Sequence, residues 1–302
     1  MLKSSQFFLV ILAHSKMNDS LFLSGLANRV GCVGVPVFYF ISGYFFNINK
    51  YGAKIFFQKK ITGILIPWFF LGTLLFLLSK QNLNIINWVN WILGNGSYLY
   101  YLSMLFVCYV VYGFTQNKYF IYFVIFLNIV SLVITSFNIY NIQNEINSYL
   151  NPLNWLGFFG LGILLKNYLE VLLHFLNKNL FLICLTYIAF AIVSVFLENE
   201  HGYFSKFALV NELIGLLVVL ALSTIYFLKS KIIIDVARFT FSIYLIHFLM
   251  FPLRKLLIVN HYTQFLNPIL YLICCYLLIK VGLYFSKLIR LDKQYTTIMG
   301  LR

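Results

Sequence analysis

Two titratable side chains bracket the first apolar run of the chain, LKSSQFFLVILAHSKM over residues 2–17. Lys3 opens it, an unbroken apolar stretch follows from Phe7 to Ala13, and His14 ends that stretch. On a helix, a spacing of eleven residues is almost a whole number of turns. Both side chains then leave the same face, about 16 Å apart at 1.5 Å per residue. Imidazole ordinarily titrates near neutral pH, so it can take the proton of a hydroxyl as that hydroxyl attacks a carbonyl. A titratable group inside a membrane span also marks a functional site by default. Lys16, Asn18 and Asp19 follow at once, so the same histidine fits a membrane interface equally well, its ring reaching water. From this helix alone both readings stand.

A second polar stripe lies in ARFTFSIYLIHFLMFPLRK, residues 237–255, where Thr240, Tyr244 and His247 fall at i, i+4 and i+7. One polar stripe on an otherwise apolar helix predicts the lining of a cavity. Asn211 and Glu212 open the apolar run ahead of it; Glu212 is either interfacial or the partner of a cation inside the bundle. In VGVPVFYFISGYFF, residues 33–46, Pro36, Ser42 and Gly43 permit a kink or a close helix approach. The densest charge follows in KYGAKIFFQKKITGILIPW, residues 50–68. Its Lys50, Lys54, Lys59 and Lys60 read first as cytoplasmic topology signals attracted to anionic lipid. Lysine is also a point charge for a phosphorylated donor. Residues 82–97, NLNIINWVNWILGNGS, carry Trp88 and Trp91. They predict either a segment lying in the membrane interface or a polar loop with two anchoring indoles. His174, His201 and His261 read as solvated loop residues.

The chain has 302 residues, of which 62% are hydrophobic and 10% charged, with a mean hydropathy of +0.88. A soluble domain carries about a quarter charged residues. The sequence therefore predicts an all-α, polytopic membrane protein, a single transmembrane domain over residues 1–302. Apolar run lengths place about ten spans near 4–18, 30–47, 61–79, 98–115, 119–137, 153–166, 179–197, 207–228, 239–257 and 266–287. The net charge of +14 is interrupted by these spans, which argues for topology signals and against a nucleic-acid partner. Cys32, Cys108, Cys184, Cys274 and Cys275 sit in apolar runs without metal or disulfide spacing, and read as packing residues. No metal triad, Ser-His-Asp order, Walker loop or nucleotide-binding glycine fingerprint is present.

Basic residues in alternate loops set the orientation. With a cytoplasmic N-terminus the inner set is Lys3, Lys50, Lys54, Lys59, Lys60, Lys118, Lys166, Lys178, Lys229, Lys231, Arg238, Lys287, Arg290, Lys293 and Arg302. The outer set is Lys16, Arg29, Lys80, Lys206, Arg254 and Lys255, and Lys280 falls inside the last span. Both termini are thus expected in the cytoplasm.

The lysine and histidine of the first helix, the latter in VILAHS, resemble the start of the acyltransferase-3 family of integral membrane acyltransferases. Further resemblances are FYFISGYF at 38–45, KKITGILIP at 59–67, LYYLSMLFVCYVV at 99–111, FFGLGILL at 158–165 and FTFSIYLIHFL at 239–249. They follow the family's order over nearly the whole chain. The resemblance implies transfer of an acyl group, usually acetyl from acetyl-CoA, to a hydroxyl of an envelope or exopolysaccharide glycan or another small acceptor. It implies the bacterial cytoplasmic membrane, an acyl-CoA donor substrate and no permanently bound cofactor. Carried over by position, His14 is the catalytic histidine. Lys3 stands where arginine is usual, and Lys59 and Lys60 stand near a basic pair that handles the coenzyme. Lysine lacks the bidentate fork of arginine, and Gly63 takes the place of a second arginine. The chain ends soon after its last helix, so transfer is expected within the membrane domain or by hand-over to a separate glycan-synthesis protein.

Together these features describe a membrane O-acyltransferase. His14 is the expected base, a covalent acyl-histidine is an open alternative, and Ser42, Glu212, Tyr244 and His247 are candidates to line the cavity. A transporter or exporter of glycan or lipid-linked intermediates is the alternative from another class, since ten helices with buried polar groups suit it too.

Overall fold

The computed structural model describes residues 21–50, 52–79, 82–137, 147–198, 201–225, 231–249 and 267–301. Lys3, His14 and His261 lie outside these residues. The described residues form helices and turns without a strand. They belong to two compact units, one of Met1–Phe46 and Val107–Ile234, the other of Asn47–Phe106 and Asp235–Arg302.

In the first unit, α1 (Leu21–Cys32) and α2 (Gly34–Tyr44) meet at Val33 and together make a span of 23 residues, Phe22–Tyr44. The break follows from Pro36, which has no N–H to offer the carbonyl of Cys32 one turn back. Helices α7 (Lys118–Ser136), α8 (Leu153–Leu164), α9 (Leu169–Lys178), α10 (Leu180–Leu197) and α11 (Ala208–Leu222) complete this unit. α6 (Tyr100–Phe114) begins in the second unit and ends in this one. α2 packs on α8 at backbone contact: a Cβ on Gly43 would lie 1.9 Å from the Phe159 carbonyl oxygen, and one on Gly162 would lie 1.9 Å from that of Phe40. Small residues allow this approach in a membrane, where dispersion and not water exclusion holds helices together. Val37, Phe40 and Ile41 then join Leu216, Val219 and Leu220 in one buried cluster.

The stretch 167–178, read from sequence as a loop, is mostly helix: α9 turns 93° away from the helix before it. It buries Leu169 and Leu176 while Val171 and Phe175 stay exposed. Such a two-faced helix suits a membrane surface. His174 is exposed on it, solvated as expected though not in a loop. At the foot of α2, Lys166 Nζ donates to the Phe46 carbonyl at 3.4 Å.

In the second unit, α3 (Ala53–Lys60), a π-helical segment (Ile61–Leu65) and α4 (Ile66–Leu78) form one span of 26 residues. The widened turn ends two residues before Pro67 and accommodates the hydrogen bond that proline cannot donate. Segment 82–99 is not an open loop. Its helix α5 (Ile85–Leu93) doubles back along α4, held by three indole N–H groups. Trp88 donates to Thr73 Oγ1, Trp91 to the Gly72 carbonyl, and Trp68 to the Ile92 carbonyl, each at 3.1 Å. Trp68 lies ten residues from the end of α4, about 15 Å along the helix, so the segment is re-entrant. Left-handed turns at Gly94 (φ 93°) and Gly96 (φ 77°) reverse the chain into α6, a conformation that glycine adopts without strain.

The rest of this unit is the end of α12 (Lys231–Arg238), α13 (Thr240–Ile246), α14 (Asn267–Leu288) and α15 (Asp292–Ile298). Lys280, unassigned by loop counting, pairs with Asp235 at 2.8 Å and lies 5.0 Å from the Phe239 ring. Tyr276 donates to the same carboxylate. These two bonds, that of Lys280 first, hold the Asp235 carboxyl below its usual range.

Among the described residues five helices are long and apolar enough to cross a membrane, or six if the bent pair around α8 and α9 is one span. Tyr100–Phe114, Ala208–Leu222 and Thr240–Leu249 are apolar but shorter. For the first of these the cause is visible: α6 starts at the re-entrant turn, level with Gly72, where Leu99 packs.

Candidate functional site

Each unit holds a buried polar centre inside apolar helices. In the second unit it forms where α13 ends. A helix leaves its last carbonyls without partners, and here side chains supply them. The Tyr98 hydroxyl donates to the Leu245 carbonyl at 2.7 Å, and His247 Nδ1 lies 2.5 Å from the Tyr244 carbonyl. A carbonyl can only accept, so Nδ1 carries the proton of this bond. In return the Tyr244 hydroxyl donates to the carbonyl of Tyr98. The Tyr98 ring stacks on Phe248 with centroids 4.0 Å apart and meets the His247 ring at 5.3 Å. Tyr101 packs edge-on against Tyr244 at 5.3 Å. Thr240, Tyr244 and His247 are all buried, and Thr240 is spent on the Ala237 carbonyl. The stripe therefore faces protein, with Tyr244 and His247 brought together by Tyr98.

In the first unit the centre surrounds the break at Val33. Arg29 is not a loop residue, as the topology count had it, but a fully buried residue of α1, which takes one charge out of the outer set. Its guanidinium donates to Ser205 Oγ and Glu198 Oε2 and lies 5.9 Å from the Phe207 ring. Its carbonyl accepts from Asn211 Nδ2 at 2.8 Å. Glu212, the next residue on α11, is fully buried and neither carboxyl oxygen has a hydrogen-bond partner among the described residues. Glu212 is therefore enclosed by protein. Arg29 is the charged group of this centre, and its ion pair is with Glu198. His201 is half-buried outside the helices: its ring packs over Gly25, where a Cβ would come within 2.7 Å, and its Nδ1 is buried without a partner among the described residues. Burial first, and Arg29 second, hold its pKa below 6.5.

The other candidates stand apart from these centres. Ser42 is half-buried on α2 of the first unit. Lys59 and Lys60 end α3 in the second unit, Lys59 exposed and Lys60 half-buried with its ammonium 5.2 Å from the Phe56 ring. All five cysteines are free thiols, and Cys32, Cys108 and Cys275 are buried. Sequence reasoning missed Tyr98, Arg29 and Glu198. For Tyr98 the available signal was the pair of glycines just ahead of it; a lone arginine and a loop glutamate gave none.

Apolar helices of spanning length with buried polar groups between them define a multi-pass membrane protein. A family model described as an acyltransferase domain matches residues 5–285. The chain belongs to the acyltransferase-3 family and is a membrane acyltransferase. No curated protein and no solved structure matches it.

Proposed function

We propose that this protein moves an acyl group, acetyl in the simplest case, from coenzyme A to a hydroxyl of a cell-envelope or exopolysaccharide glycan. The proposal includes a bacterial cytoplasmic membrane, about ten crossings and both termini inside. The observation that carries it is the match over residues 5–285, which takes in His14 and supports a transferase, giving an exporter no support.

His14 takes the proton of the acceptor hydroxyl while its oxygen attacks the thioester carbonyl. The tetrahedral intermediate collapses with cleavage of the carbon–sulfur bond, and the imidazolium returns the proton to the departing thiolate. Lys3, Lys59 and Lys60 meet the coenzyme phosphates as point charges. Tyr244 and His247 hold the acceptor. A separate glycan-synthesis protein delivers or receives the glycan.

The test uses purified protein in nanodiscs with acyl-CoA and a hydroxylated acceptor. His14→Gln keeps size and hydrogen bonding but cannot carry a proton, so turnover should fall roughly 10²–10⁴-fold, the range of general-base catalysis. Coenzyme affinity should stay near normal. Transfer by His14→Gln at the wild-type rate would remove the base from this mechanism.

A further inference from the structure

We infer that Tyr98, at the turn of the re-entrant segment, is the positioning residue for His247; this rests on the reading of His247 as part of the acceptor site. The α13 helix ends within one turn of His247 and continues as a tight turn, His247–Leu249. A helix end of this kind frays unless its last carbonyls are capped. Two side chains cap it: the imidazole takes the Tyr244 carbonyl, and Tyr98 takes the next one, that of Leu245. The two segments are then tied a second time, in the opposite sense, by the Tyr244 hydroxyl on the Tyr98 carbonyl.

This reciprocal pair fixes three things at once. It holds the backbone from which His247 projects. It keeps the Tyr244 carbonyl in place as the acceptor for Nδ1–H, and so sets the orientation of the ring. It also presses the Tyr98 ring between Phe248 and the edge of the imidazole. Segment 94–99 is irregular backbone whose tip, Asn95 and Gly96, is exposed. Here Tyr98 and Leu99 are buried, and the indole bonds of α5 anchor the turn to α4. Tyr98 is thus held by a rigid support and in turn holds His247.

Tyr98→Phe keeps both ring contacts and removes only the bond to Leu245. In the full-length protein, carbethoxylation of each histidine by diethyl pyrocarbonate is followed by peptide mass spectrometry, with exposed His174 as the internal standard. His247 should react several-fold faster in Tyr98→Phe and in Tyr244→Phe, while His174 is unchanged. Turnover should fall about tenfold, the effect of one ordinary hydrogen bond, with the KM for acyl-CoA unaltered. Tyr98→Leu should lose more than Tyr98→Phe, because the ring contacts go too. Unchanged reactivity of His247 in both tyrosine variants would overturn the inference. Faster modification with normal turnover, together with a fully active His247→Gln, would uphold the clamp and overturn the acceptor-site reading beneath it. Should Tyr98→Phe not fold, Tyr244→Phe tests the same pair from its other side.

Discussion

Replacing Glu198 with alanine should destabilise the fold without touching any group assigned to the chemistry. The side chains of Arg29 and Glu198 are 0% and 9% exposed, so water cannot take over the guanidinium when its partner is gone. Breaking a buried pair from one side costs about 3–5 kcal/mol, because the remaining charge stays buried and unpaired. Two features of this site place the expected cost at the lower end of that range. Ser205 Oγ still accepts from Arg29, and the Phe207 ring remains beside it. Glu198 also accepts from the backbone N–H of Lys206 at 2.6 Å, but Lys206 is exposed and water replaces that bond. A loss of about 3 kcal/mol corresponds, for a chain of this length, to a melting point lower by roughly 5 °C. Thermal unfolding in a mild detergent, followed by circular dichroism, measures it. Arg29→Met combined with Glu198→Leu removes both charges and should recover most of the loss, since apolar replacements of buried pairs are often neutral or stabilising. A Glu198→Ala protein within about 1 kcal/mol of wild type, the range of an exposed pair, would refute the reasoning.

Gly43→Ala and Gly162→Ala each place a Cβ 1.9 Å from a backbone carbonyl oxygen of the facing helix, which cannot rotate aside. Both variants should lose folded protein on size-exclusion chromatography, whereas Gly52→Ala, whose Cβ would meet nothing within 4 Å, should stay folded despite its positive φ. His201 is held below 6.5 in the folded protein by burial and Arg29. The unfolded chain therefore binds its proton first, and stability present above pH 6.5 is lost as pH falls below that value. Melting points between pH 7.5 and 5.5 should drop less in His201→Gln than in wild type; equal slopes would refute the assignment.

Composition and apolar run length were enough to specify an all-helical membrane protein, because a bilayer forces every backbone polar group into helix hydrogen bonds. They also located the Thr240, Tyr244 and His247 stripe and the glycine at which α2 approaches its neighbour, since both are matters of spacing along one helix. Proline positions likewise carry their own consequence, at Val33 ahead of Pro36 and at the widened turn ahead of Pro67. What a segment does after leaving its helix is another matter. Residues 82–99 have the composition of an interfacial loop, and only the docking of Trp88 and Trp91 on α4 makes them re-entrant. Arg29 looks like a topology signal until Glu198 and Ser205, far along the chain, close over it. Tyr98 is one of many tyrosines until Leu245 and Tyr244 meet it. A charge or a hydroxyl has the same chemistry on a loop as in a core; its partner is set by packing between distant segments, which no local pattern encodes.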